Sequence, residues 1–238
     1  MSLIDQPRSS SESMNQRVII MAGGDGTRWN DYLGGPKHFI PVGGEILLER
    51  TINQVKALNS LSDIIIIGPP EHDPRYVFEG TKLLKSTRRG PAAIYELFSP
   101  QNMPYNPDGR TVMLFGDVWY SDRAMATIVQ GDDQPDNYTW FGRSVGNDIC
   151  AYGELWAISF RPEAAQEIRG HLEYMLQLHK DGTIKRAGGW ETYRLLRGID
   201  MGTHEISGAW VEINELTEDF DFPEEFDKWL KKYENLHS

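Results

Sequence analysis

A single cysteine, Cys150, stands in a chain of 238 residues. One thiol can make neither an internal disulfide nor a cysteine zinc cluster, so a reducing, cytoplasmic setting suits the chain and Cys150 reads as an inert buried thiol. No apolar run approaches the ~20 residues of a membrane span. The opening stretch, Met1 to Gln16, carries Ser9, Ser10, Ser11 and Ser13 but no apolar segment; it is not a signal peptide, and a disordered leader is expected. Basic charge is scarce as well. Lys and Arg number 24 against 35 Asp and Glu, a net charge of −11. A nucleic-acid-binding surface needs a basic face to displace counterions, so none is expected. The histidines show no metal-ligand spacing, and His38 reads as structural or local to its loop. There is no internal repeat and no low-complexity segment beyond the serines.

What is present is ordinary for a globular protein: 39% hydrophobic and 25% charged residues. The length suits one sizeable α/β domain, expected over 17–238. Short apolar runs ended by turn residues predict buried strands at Arg17–Ala22, Ile64–Ile67, Thr111–Phe115 and Leu155–Phe160. Helices are predicted over Glu45–Leu58, where Leu48, Ile52 and Val55 share a face, over Ala92–Phe98, from Pro162, and over Pro223–Leu236. In the last, Glu224 and Glu225 near the start and Lys231 and Lys232 later suit the helix dipole. Alternating strands and helices imply a Rossmann-like, mostly parallel sheet with helices on both faces. Ligands of such sheets lie outside the carboxyl ends of the strands. Two features fall there: the glycine loop after Ala22, and Asp117 after Phe115.

The loop Ala22-Gly23-Gly24-Asp25-Gly26-Thr27-Arg28 has the makings of an anion site. Glycines permit positive φ and let backbone amides approach a ligand. Arg28 adds a forked cation suited to phosphate. Lys37 follows Pro36, which fixes one backbone angle beside it. A P-loop would end in Gly-Lys-Ser/Thr, and nothing here does. A dinucleotide fingerprint would open a helix at its third glycine, whereas here Thr27, Arg28 and Trp29 lead to another turn at Gly34-Gly35-Pro36. A plain surface turn would explain the glycines alone, but not Arg28 and Pro36-Lys37 in the same segment.

That loop, followed by Pro36-Lys37-His38-Phe39-Ile40-Pro41-Val42-Gly43-Gly44-Glu45-Ile46-Leu47, closely resembles the signature of the nucleotidyltransferase superfamily, whose members include sugar-1-phosphate, methylerythritol-phosphate and phosphocholine nucleotidyltransferases. The resemblance implies the nucleotide-diphospho-sugar transferase type of α/β fold. It implies that Ala22, Gly23, Gly24, Asp25, Gly26, Thr27 and Arg28 hold a nucleoside triphosphate, and that Lys37 neutralises charge developing in phosphoryl transfer. Arg89-Gly90-Pro91-Ala92-Ala93-Ile94 looks like the family's Gly-x-Ala segment, so Gly90 and Ala92 would lie against base and ribose. The segment Gly116-Asp117 resembles the family's metal-binding position, which makes Asp117 a ligand for Mg2+, an ion that takes oxygen donors and uses few protein carboxylates. Asp219-Phe220-Asp221-Phe222-Pro223-Glu224-Glu225 resembles the family's second acidic motif, with Asp221 as the second ligand, Asp219 beside it, and Glu225 in place of the usual aspartate. A rival alignment through Trp210-Val211-Glu212-Ile213-Asn214 would offer Glu212 and put Asn214 where an aspartate belongs. Helix capping is the simpler role for Asp221.

The implied reaction carries a nucleoside monophosphate from the triphosphate to a phosphorylated small molecule, a sugar phosphate or phosphocholine-like acceptor, and releases pyrophosphate. For the acceptor, Arg143 or Lys185 would bind the phosphate, Glu154 or Glu191 sugar hydroxyls, and Trp190 would stack on a sugar or help box an ammonium group; core packing or solvation is the plainer role for each. Such domains often pair, so a homo-oligomer is compatible with the reading. A nucleotide-sugar-dependent glycosyltransferase is the alternative, but Asp117-Val118-Trp119 lacks the Asp-x-Asp pair such enzymes usually need. A non-catalytic nucleotide sensor would have no use for Asp117 and Lys37.

Overall fold

Along the first strand, β1 (Gln16–Met21), Val18 and Ile20 pack into one hydrophobic cluster while Ile19 and Met21 pack into another, and all four are buried. A strand apolar on both faces must be covered on both. The computed structural model, which describes residues 15–24, 26–60, 62–86, 104–131 and 137–237, shows how. On the Val18 face lie α1 (Leu47–Leu58) and α2 (Asp122–Gln130), through Leu48, Ile52, Val55, Ala124 and Ile128. On the Ile19 face lie α3 (Pro162–Lys180) and α4 (Gly189–Arg197), through Ile168, Leu172, Tyr193 and Leu196.

Two-residue pairs β2 (Pro41–Val42) and β3 (Glu45–Ile46) follow β1. The larger strands are β4 (Asp63–Gly68), β5 (Thr81–Lys85), β6 (Arg110–Phe115), β8 (Tyr138–Arg143) and β9 (Glu154–Phe160), with the short β7 (Val118–Trp119) after β6. Near the end come β10 (Trp210–Glu212), β11 (Glu218–Asp219) and α5 (Pro223–His237). Seven strands form one sheet in the order β10-β8-β9-β6-β1-β4-β5. Pairing is parallel except at β9, which runs antiparallel to both β6 and β8. The expected mostly parallel α/β sheet with helices on both faces is therefore present.

Two differences from the sequence reading have physical causes. The first helix begins at Leu47 rather than Glu45, because Gly43 and Gly44 at φ 60° and 89° make a tight turn that takes Glu45 and Ile46 into a strand against Pro41 and Val42. Strands β5 and β8 and helices α2 and α4 lack the long apolar runs that periodicity detects; α2 is announced instead by its cap, the Ser121 hydroxyl accepting from the Ala124 N–H. The helix expected over 92–98, and the leader up to residue 14, lie outside the described residues.

A third cluster builds the platform beneath the site. Trp29, Trp119, Phe220, Phe226 and Trp229 are buried together. Trp229 lies 5.1 Å from the rings of Trp119, Phe220 and Tyr233. Trp29 packs edge-on against Phe226 at 5.9 Å, which fixes α5 to the loop that follows β1. No helix among the described residues is long and apolar enough to cross a membrane. Because Trp229 joins the last helix to the rest, Trp229→Ala should lower stability by about 3–5 kcal/mol in urea denaturation, and Trp229→Phe by clearly less; equal losses would contradict this anchoring role.

Candidate active site

Gly23 is required where it stands. A Cβ there would lie 2.9 Å from the Gly68 carbonyl oxygen, at the end of the neighbouring strand β4. Gly24 faces open space, and Gly26 adopts φ 59°, a left-handed backbone that suits glycine. The chain then turns back, with the Trp29 and Asn30 N–H groups donating to the Gly26 carbonyl and the Trp29 indole donating to Gly35 at 3.1 Å. Burying Trp29 leaves the adjacent Arg28 at the surface, directed to the C-terminal segment. Pro36 is extended, and the short turn Lys37–Phe39 after it delivers Lys37 to the interior.

Sheet register brings the acids to these cations. Strand β11 pairs antiparallel with β7, Asp219 opposite Val118 and Glu218 opposite Trp119. The residues just after Asp219 therefore lie beside the residue just before Val118, so Asp221 and Asp117 meet. Lys37 Nζ bonds the Asp117 carboxylate, lies 3.4 Å from Asp221 Oδ1, and donates to the Phe220 carbonyl at 3.3 Å. Arg28 grips Asp221 with both terminal nitrogens, each 2.5 Å from an oxygen, and its guanidinium lies 5.4 Å from the Phe222 ring centre. Burial alone would lower the Lys37 pKa, but Asp117, Asp221 and Asp219 outweigh it and hold the ammonium above its ordinary value. Burial raises Asp117, and Lys37 and His38 overcome that to hold it below the usual carboxylate range. His38 is neutral at physiological pH: burial pushes its imidazole down to about 4, Asp117 opposes and Lys37 assists. Its Nδ1 lies 3.1 Å from the Tyr76 hydroxyl.

Asp221 does not act as the helix cap. The Phe222 N–H at the start of α5 bonds the Glu225 carboxylate at 3.0 Å, while both Asp221 oxygens face Arg28. Asp219 is a weaker candidate for a metal ligand, because burial, then Glu154, Asp221 and Asp117, push its pKa well above the carboxylate range. It lies with Glu154 and Glu218 in a group whose ligand atoms are within 4.8 Å of one another. Burial likewise lifts Glu154 to about 8, and the Cys150 thiol donates to it at 2.9 Å. Glu212 is elsewhere, accepting from the Ser144 N–H and the Trp210 indole.

These groups open on one cavity of about 570 Å³, whose wall includes Gly24, Gly26, Arg28, Lys37, Asp117 and Asp221. Ala22 and Gly23 lie buried behind it, and Thr27 is exposed. Asp25, Gly90 and Ala92 lie outside the described residues. Of the expected acceptor residues, Glu154 and Trp190 reach the cavity. Three do not line it. Arg143 is buried in a two-pronged ion pair with Glu218, both contacts 2.9 Å, so its charge is already neutralised. Glu191 caps α4, accepting from the Gly188 N–H at 3.0 Å. Lys185 is exposed and off the wall, while its neighbour Arg186 is on it. Arg194, His204 and Tyr152 also line the cavity. Sequence alone offered one faint signal for this wall, the Gly188-Gly189 pair that follows Arg186-Ala187.

Residues 18–96 match the family described as the MobA-like NTP transferase domain. Over 58 residues, 24% of this chain, the sequence is 48% identical to 2-C-methyl-D-erythritol 4-phosphate cytidylyltransferase of Phocaeicola vulgatus, and over the same share 41% identical to the enzyme of that name from Bacteroides thetaiotaomicron. These matches span about a quarter of those relatives' length, 25% and 26%. The fold is shared more widely. The structure of 4-diphosphocytidyl-2C-methyl-D-erythritol synthase from Anaerococcus prevotii gives a TM-score of 0.59 at 11% identity, over 94% of this chain and 100% of that one. CTP:phosphocholine cytidylyltransferase from Streptococcus pneumoniae gives 0.56 at 15%, over 92% and 100%. The fold is the one these structures share, and the family match covers the segment that carries the glycine loop. The segment that resembles the superfamily signature carries Arg28 and Lys37 to the cavity.

Because the folded His38 pKa is depressed from 6.5, the stability its neutral ring confers is fully present above pH 6.5. It is lost as pH falls through about 4, a loss of about 3 kcal/mol between pH 7 and 4. NMR titration of the metal-free protein should find the ring unprotonated at pH 6; a midpoint near 6.5 would contradict the buried pair with Tyr76.

Proposed function

We propose that the protein is a magnesium-dependent nucleotidyltransferase that moves a nucleoside monophosphate from a triphosphate to a phosphorylated small molecule. One observation carries the reading: Arg28, Lys37, Asp117 and Asp221, from three distant parts of the chain, converge at the glycine loop on one cavity. An oxygen of the acceptor phosphate forms the new bond to the α-phosphorus. The bond from that phosphorus to the bridging oxygen breaks, and its electron pair leaves with pyrophosphate. The acceptor phosphate is already ionised, so no general base is needed, and catalysis consists of placement and charge neutralisation. The amides around Gly24 and Gly26 and the Arg28 guanidinium would hold the triphosphate, and Lys37 would meet the charge that develops on its oxygens.

Asp117 and Asp221 fit a magnesium site. Both present hard oxygen donors to the same cation, the Lys37 ammonium, so a positive charge between them is already favoured. Asp117 and Asp221 would hold the ion, which would supply charge neutralisation at the phosphates. The matched relatives are cytidylyltransferases, which makes CTP the first donor to test.

In a thermal-shift panel of CTP, UTP, dTTP, GTP and ATP with magnesium, at least one triphosphate should raise Tm. In a pyrophosphate-release screen with that triphosphate and phosphorylated acceptors, Asp117→Ala and Lys37→Ala should each lower the rate by about 100-fold or more. No shift with any triphosphate, or unchanged release by Asp117→Ala, would refute the proposal.

A further inference from the structure

Away from the glycine loop, the cavity wall carries two arginines, Arg186 and Arg194. Arg186 is exposed and has no ion-pair partner among the described residues, while the fully buried Ala187 next to it fixes where it emerges. Arg194 is held in place by its Nε, which donates to the Thr203 carbonyl at 2.8 Å. The nearest carboxylate oxygen of Glu191 is 3.7 Å away and is only a loose counter-charge. This wall abuts the edge that bears Asp117: a Cβ at Gly189 would lie 2.7 Å from Phe115, so α4 begins directly on that ring. Tyr152 and Glu154 on the same cavity add a phenol and a carboxyl, groups that hydrogen-bond hydroxyls.

The same wall is ill suited to a quaternary ammonium group. An aromatic cage needs open ring faces. The Trp190 ring is stacked on Trp210 with centroids 5.9 Å apart and has the Arg194 guanidinium over it at 6.0 Å. His204 stands edge-on to it at 4.7 Å. At Trp190 a trimethylammonium head would meet occupied faces and a like charge.

Resting on the nucleotidyltransferase reading, we propose that Arg186 and Arg194 select an anionic, hydroxyl-bearing acceptor, a polyol or sugar phosphate, and reject phosphocholine-like acceptors. Calorimetric titration of the full chain tests this. The protein is first saturated with magnesium and a non-hydrolysable analogue of whichever triphosphate raises Tm. It is then titrated with glycerol 3-phosphate, erythritol 4-phosphate, ribitol 5-phosphate and phosphocholine. At least one polyol phosphate should bind about tenfold or more tighter than phosphocholine. Arg186→Gln should weaken it by about tenfold, with triphosphate affinity unchanged, and Arg194→Lys should lose less than Arg194→Gln. Equal or tighter binding of phosphocholine, no binding of any polyol phosphate, or an Arg186→Gln variant with wild-type affinity would overturn the proposal while leaving the nucleotidyltransferase reading intact. Failure of the wild type to bind any triphosphate would take both down.

Discussion

Lys37 is the hinge of this structure. An ammonium buried as deeply as this one is costly unless paired, and Lys37 is paired twice, with Asp117 and with Asp221. It belongs to the glycine-loop segment, Asp117 to the end of a central sheet strand, and Asp221 to the entry of the last helix. Removing one partner would strand the others in the interior, a loss of roughly 3–5 kcal/mol for a buried pair. Arg28 makes a second clasp on Asp221, and Trp29 beside it packs against the last helix. The loop and the C-terminal segment are therefore joined by charge at one residue and by an aromatic contact at the next.

The same clasp offers a way for an acidic chain to bind a polyphosphate. The net charge of −11 is unfavourable only if it faces the ligand. Here Glu218 is neutralised by Arg143, and Asp219 and Glu154 are shifted toward their protonated forms. At the cavity, Asp117 and Asp221 each hold a cation. In the proposed reaction those cations turn to phosphate and the carboxylates to magnesium, so no charge is left alone when partners exchange.

The donor half of the site was legible in the sequence because its parts are local. Gly23, Gly24, Gly26, Arg28, Pro36 and Lys37 are close in the chain, and each residue type has a distinct conformational or charge role. Asp117 was legible as the acid that ends an apolar run. Asp221 as a site residue was within reach only through the resemblance, since its place at the cavity depends on the β7–β11 register, a contact between segments about a hundred residues apart. The acceptor side is less legible for the same reason. Arg143, Glu191 and Lys185 are plausible by residue type, but Arg143 has a buried partner, Glu191 caps a helix and Lys185 is exposed off the cavity wall, and no local pattern shows any of those. Arg186 sits one residue from Lys185, and of the two only Arg186 lies on the cavity wall.

The most direct measurement is a crystal structure of the protein with manganese and a non-hydrolysable triphosphate analogue, in which the metal is located by anomalous scattering. The account predicts one metal peak bound by Asp117 and Asp221, with the phosphates against the Gly24–Gly26 loop, Arg28 and Lys37. A triphosphate bound away from that loop, or a metal held by Glu154, Glu218 and Asp219 with Asp117 still on Lys37, would contradict it.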